Sequence, residues 1–280
     1  MINKYIRKFK KKYIDQKKII YQAMKQKASQ KQILFIVGCQ RSGTSLMVRI
    51  FDNDLNAKCF SEHSVLSTRD EKGFHLNPLD EVNEEFSKVR APFVILKPLV
   101  ESQNLLRLLD YFDGSKALWM YRHYKDVAAS NLGHFGERNG INDIRPIVEN
   151  EVGNWRNENL SNSVREKITN FFYEDMNIYD AAVLFWYARN SLFFDLELDN
   201  KPDVFMCKYK DLVMLPGRMM RGIYEKVRQP YPGDGIISEV HSQSFGKGKE
   251  LQLSKDVESI AEAMLSRLNL AYEEKSPTHE

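Results

Sequence analysis

The segment Gly38-Cys39-Gln40-Arg41-Ser42-Gly43-Thr44-Ser45 lies between an apolar run, Ile33 to Gly38, and a stretch of helical spacing from Thr44 to Asp54. Set against the nucleotide-binding pattern GxxxxGK[ST], it keeps both glycines and the closing hydroxyl, but Thr44 stands at the lysine position. The chemistry that survives is anion binding. Glycines allow the tight turn, backbone N–H groups face the anion, and the helix amino terminus adds its dipole. The lysine that reaches the outer phosphates is lost, so the spacing predicts a bound phosphate but not a reactive triphosphate. A second anion-binding pair is Arg122 and Ser130. Arg122 follows the apolar run Lys116 to Tyr121, at a strand end, where open parallel sheets bind ligands. Its guanidinium can grip a phosphate bidentately. Ser130 falls on the following helix, on a face that can return to the same anion. The plainer alternatives are a surface ion pair for Arg122 and a small helix residue for Ser130.

Strands and helices must alternate to place these groups. Pro92 to Lys97 and Asp203 to Cys207 are two more apolar runs, making four predicted strands. Predicted helices follow them at Glu101 to Phe112, Lys125 to Phe135 and around Pro216 to Val227. Repeated strand-helix units predict an α/β chain, a P-loop-like three-layer fold with a central parallel β-sheet flanked by helices. Ile141 to Asn200 has no strand pattern and reads as helices, among them Ile178 to Leu198 with Phe185 and Tyr187 in the core. Trp119, Trp155 and Trp186 are expected in the core or the acceptor cleft. A last helix spans Lys255 to Tyr272, with a frayed end beyond it.

Charge divides the chain unevenly. Residues 1–32 hold eleven Lys/Arg and a single acid, Asp15, whereas the rest holds 30 bases against 37 acids. A basic arm of net +10 thus precedes a body, 33–280, of net −7, read as a single domain. Ile2, Ile6, Phe9, Tyr13, Ile20 and Met24 recur in the arm at helical spacing. Two readings stand: a basic amphipathic helix on an anionic membrane surface or partner, or a solvated helix whose stripe packs on the body. The arm shares none of the anion-binding motifs and is expected to be dispensable for binding a cofactor. With 42% hydrophobic and 28% charged residues the composition excludes a disordered chain. No apolar run is long enough for a transmembrane helix, and no secretory signal is expected. Cys39, Cys59 and Cys207 are odd in number with no CxxC spacing, which argues against disulfides or a zinc site and for a cytoplasmic protein, if attached, at a membrane surface.

Three blocks carry a family resemblance. Gln40 to Ser45 resembles the 5′-phosphosulfate loop of sulfotransferases that use 3′-phosphoadenosine 5′-phosphosulfate (PAPS). Arg41 stands where the cytosolic branch usually has Lys; the Arg form is typical of Golgi carbohydrate and tyrosylprotein sulfotransferases and of bacterial relatives. Tyr121 to Ser130 resembles the 3′-phosphate motif, an Arg at a strand end with a Ser eight residues later. Lys208-Tyr209-Lys210-Asp211-Leu212-Val213, with Pro216 beyond, resembles the YEDL segment. The order and spacing agree across most of the body, and the arm lies outside the match. The resemblance implies PAPS as sulfuryl donor and 3′,5′-adenosine bisphosphate (PAP) as product. Arg41, Ser42, Gly43, Thr44, Ser45, Arg122 and Ser130 would then hold the cofactor, and Tyr209 would pack on its adenine. Lys247 and Lys249, in the loop Ser242 to Lys249, would close over the 3′-phosphate end.

Sulfuryl transfer needs in-line attack, charge stabilisation on the leaving oxygen and removal of the acceptor's proton. Arg41, with the phosphosulfate loop, and Lys97, at a strand end on the same sheet edge, are the candidate cations. No His and carboxylate cluster has ligand spacing, so no metal is expected. In the cytosolic branch a catalytic His follows the Lys by two residues; here that position is Leu99. Glu62 is therefore the first candidate base, in a region where the Golgi-type enzymes look similar, and His63 is the second. The acceptor is a hydroxyl compound: carbohydrate, lipid, another small molecule or peptide tyrosine. Rival readings are a small-molecule kinase, disfavoured by the missing lysine, and a non-catalytic nucleotide-binding or membrane-adaptor protein. Nucleic-acid binding is disfavoured by the acidic body and the lack of a reader motif.

Overall fold

The computed structural model describes residues 2–24, 30–71 and 73–278, with the side chains of the leading helix from residue 12 onward. That helix, α1 (Ile2–Met24), precedes β1 (Gln32–Gly38) and α2 (Thr44–Phe51). Then come β2 (Ala57–Ser61), the hairpin strands β3 (Ser67–Asp70) and β4 (Gly73–Leu76), α3 (Leu79–Lys88) and β5 (Phe93–Lys97). A 3₁₀ turn (Leu99–Asn104) leads into α4 (Leu105–Tyr111), β6 (Lys116–Tyr121) and α5 (Tyr124–Phe135). Helices α6 (Asn139–Val148), α7 (Asn162–Phe171) and α8 (Ile178–Asp195) follow, then β7 (Val204–Lys208), α9 (Tyr209–Met214), α10 (Pro216–Lys226) and α11 (Lys255–Lys275).

Five strands form one parallel sheet in the order β2-β5-β1-β6-β7. Successive side chains of a strand point to opposite faces, and both faces here are covered, which is why the strands read as unbroken apolar runs. Phe35, Val37, Val94, Leu96, Trp119 and Met206 enter the core shared with the α5, α6, α8 and α11 side. Leu34, Ile36, Ile95, Leu118, Met120 and Cys207 enter the other, under α2 and α10. The predicted α/β three-layer architecture and its four strands are present.

Differences from expectation have local causes. The edge strand β2 was not expected, because its sequence Ala-Lys-Cys-Phe-Ser is short and not apolar throughout. The predicted helix Glu101 to Phe112 begins instead as the 3₁₀ turn after Pro98, with Ser102 buried against the end of β1. The Ser102 hydroxyl accepts the Gly38 N–H at 3.2 Å and donates to the Leu99 carbonyl at 3.0 Å, which ties that turn to the start of the phosphate loop. Beyond Tyr272 the chain does not fray at once: α11 runs to Lys275, and Ser276 is buried. The Pro277 carbonyl packs so closely on Gly222 that a Cβ there would lie 2.2 Å from its oxygen.

α1 meets the body through polar groups. Lys18 Nζ lies 3.2 Å from Asp52, Tyr21 donates to Asn56 at 3.3 Å, and the Gln22 side chain donates to the Leu55 carbonyl at 2.9 Å. Arg90 donates to the Gln22 carbonyl at 3.2 Å. The described part of the apolar stripe does not pack on the body: Tyr13, Ile20 and Met24 are 58%, 62% and 84% exposed. The helix can turn this way because its buried lysine has a carboxylate to pair with.

Candidate active site

A parallel sheet brings the carboxyl ends of its strands to one edge. Gly38, Lys97, Arg122 and Tyr209 all arrive there, from β1, β5, β6 and the start of α9. The phosphate loop bends sharply between β1 and α2. Arg41 has φ +63° and Gly43 φ +100°, so a non-glycine residue sits in a left-handed conformation at the point of closest turn. The first N–H groups of α2 have no earlier helical carbonyl to bond, and the helix dipole adds to their pull on an anion. The Gly43 carbonyl takes the N–H groups of Leu46 and Met47 at 2.9 and 3.0 Å. A side chain at Gly43 has no room, since its Cβ would lie 2.4 Å from the Tyr209 ring.

Arg122 is held from several sides. Trp186 Nε1 donates to its carbonyl at 2.9 Å and fixes the backbone at the strand end. Its guanidinium lies 4.3 Å over the Tyr209 ring, within 3.3 Å of the Asp126 carboxylate, and donates to the carbonyl of Ser244. It also donates to the Arg41 carbonyl at 3.4 Å. The Arg122 Nε is buried and has no hydrogen-bond partner among the described residues. Arg41 Nε donates to Ser130 Oγ at 3.1 Å, so the two anion-binding blocks of the sequence touch. Burial, and then the charge of Arg122, lower the pKa of Arg41. Among the described residues no carboxylate pairs with Arg41. Two adjacent guanidiniums, of which only Arg122 has a carboxylate beside it, are an arrangement with the charge and donors to hold an anion.

Lys97 stands beside this cluster, 5% exposed. Its Nζ donates to Ser45 Oγ at 3.1 Å and to Glu62 Oε1 at 2.8 Å. The second oxygen, Oε2, is buried and lies 2.6 Å from the same nitrogen, so both carboxylate oxygens face Lys97. A chain of contacts therefore runs from the phosphate loop through Lys97 to the Glu62 carboxylate. His63 is exposed, with its ring edge-on to Phe74 at 4.6 Å. Glu62, His63, Arg41, Gly43, Thr44, Ser45, Lys97, Arg122, Ser130 and Tyr209 all line one cleft of about 670 Å³.

Three expected residues are placed differently. Ser42 is fully buried behind the loop and does not line the cleft. Lys247 and Lys249 are exposed and do not line it either. The cause is Asp126, whose carboxylate accepts the N–H groups of both Gly246 and Gly248 at 2.9 Å and so pins the backbone between them. Lys249 instead borders a smaller cavity with His123, Phe245 and Glu262. Tyr209 reaches the cleft, but its ring carries Arg122 and its hydroxyl meets Ser244, so in this arrangement it buttresses the arginine. All three tryptophans are core residues, none more than 5% exposed. Asp126 and Ser244 were not picked out beforehand. The spacing of Asp126, four residues after Arg122 on a helix start, was the available signal; Ser244 had none.

No family model matches the chain, and no curated protein matches its sequence. Among solved structures, the sulfotransferase domain from the curacin biosynthetic pathway superposes with a TM-score of 0.52 and 16% identity, over 86% of this chain and 99% of that one. The fold is the sulfotransferase fold. A sulfotransferase from Alicyclobacillus acidocaldarius is also similar, at TM-score 0.48 and 14% identity over 88% of this chain and 95% of that one. In this sulfotransferase fold the cleft described above occupies the carboxyl edge of the central sheet, with both anion-binding blocks on its wall.

Proposed function

We propose that the protein is a PAPS-dependent sulfotransferase acting on a hydroxyl acceptor. The observation that carries this reading is the cluster in which Arg41 donates to Ser130 and Arg122 donates to the Arg41 carbonyl, with the Arg122 Nε lacking a hydrogen-bond partner among the described residues, next to a phosphate loop that has no lysine. When bound, PAPS supplies a sulfuryl group activated by its link to phosphate. The phosphate-loop backbone and Arg41 hold the 5′ end, and Arg122 with Ser130 holds the 3′-phosphate. Lys97 and Arg41 would supply positive charge to stabilise the leaving oxygen. The Glu62 carboxylate would accept the proton of the acceptor hydroxyl, with His63 as the second candidate. Tyr209 supports the Arg122 guanidinium, which lies 4.3 Å over its ring.

Calorimetry with PAP tests the cofactor assignment. Arg122→Ala removes a charged, bidentate donor and is expected to weaken PAP binding by roughly 2–3 kcal/mol. Unchanged affinity in that variant refutes the assignment of Arg122. Tight binding of ATP with magnesium, together with no affinity for PAP, would make the kinase reading the correct one.

A further inference from the structure

The face that α1 turns to solvent is unlike the face it turns to the body. At about 100° per residue, Tyr13, Ile20 and Met24 fall within about 40° of one another, roughly opposite Lys18 and Gln22. Those three side chains are exposed, as is Ile19 at 69%. Lys12 and Lys17 flank them and are exposed too. In the sequence Ile2, Ile6 and Phe9 continue the same spacing, with Lys4, Arg7, Lys8, Lys10 and Lys11 between them. The helix thus offers an apolar stripe edged by lysines, on a segment of net +10 joined to a body of net −7.

We propose that α1 seats the protein on an anionic lipid bilayer. Its apolar stripe enters the boundary between headgroups and acyl chains, and its lysines pair with lipid anions. Charge favours this occupant over the others. A second copy would set one +10 stripe against another. A nucleic-acid backbone would meet the lysines but leave the aliphatic stripe without use. On an anionic surface the acidic body is repelled while the arm is held, so the charge division also orients the molecule. Attachment is at the surface, because no described helix is long and apolar enough to cross a membrane. A cavity of about 370 Å³ between α1 and the body shares Val48 and Ser61 with the main cleft, so the seated helix stands beside that cleft.

The test is sedimentation of the full chain with vesicles, which needs no activity and so stands apart from the sulfotransferase reading. The vesicles are phosphatidylcholine alone, or phosphatidylcholine with about 30% phosphatidylserine. Binding is expected only with phosphatidylserine, and to fall about tenfold or more as salt rises from about 0.05 to about 0.5 M. Ile20→Glu with Met24→Glu, and separately Lys12→Glu with Lys17→Glu, should each lower partitioning about tenfold. Circular dichroism and thermal melting should match the parent in both, which separates lost docking from lost folding. No binding, equal binding to neutral vesicles, or binding that survives both variants overturns the proposal. Self-association abolished by Ile20→Glu, with no vesicle binding, would make the stripe a contact between copies and overturn it as well.

Discussion

Glu62→Gln is expected to lower the turnover rate by about 10²–10⁴-fold while leaving PAP affinity unchanged. The substitution keeps the shape of the side chain and a carbonyl oxygen that Lys97 can still reach, but the amide cannot accept a proton at neutral pH. The structure holds both Glu62 carboxylate oxygens against Lys97, Oε1 at 2.8 Å and Oε2 at 2.6 Å, beside the cleft that Glu62 lines. The separating measurement is single-turnover kinetics alongside PAP calorimetry in the same variant. A fall of less than about threefold would move the base elsewhere, with His63 next in line, because general-base catalysis is worth far more than that. His63→Ala is the control: its ring packs on Phe74 at the cleft's edge, and the milder loss belongs to it.

Lys97→Met is expected to lower turnover by about 10²–10³-fold, the cost of removing a donor aimed at developing charge. Methionine keeps the length of the chain and suits a site that is 5% exposed. The variant also leaves Glu62 without its cation, so some stability should be lost, and melting must be followed with activity. Because Lys97 and Glu62 touch, their effects should not add. The double variant Glu62→Gln/Lys97→Met should be well short of the product of the two single losses. Full additivity would mean that the two groups act at separate points, and would break the unit proposed for them. Wild-type turnover in Lys97→Met would remove Lys97 from the chemistry altogether.

The sheet, and the gathering of most candidate anion-binding groups at one cleft, were legible because they rest on local signals. A buried strand is an apolar run, a phosphate loop is a glycine pattern between strand and helix, and Arg122 announces itself by following a strand. The less legible parts depend on contacts between distant segments. β2 is short, carries Lys58, and becomes a strand only because β5 offers it a ladder. Lys247 and Lys249 stand in a Gly- and Lys-bearing segment that suits an anion, yet Asp126, more than a hundred residues earlier, decides where that backbone lies. Which face α1 docks was left open by the sequence for a related reason. Periodicity finds the apolar stripe but not the polar contacts with the body, Lys18 with Asp52 among them, that turn the stripe outward.

β2 has a neighbour on one side only, and its register sets Ser61 opposite Lys97, one residue before Glu62. The pairing of carboxylate and cation is thus written into the last rung of a ladder at the margin of the sheet. Margins open more readily than interiors, since a strand with one partner has half the bonds to break. Under the proposed roles, the proton-accepting half of the cleft belongs to a less protected part of the sheet, and the anion-holding half to its centre, where β1 lies between β5 and β6. On warming, the two halves are expected to come apart in that order, so that turnover is lost at a lower temperature than PAP binding.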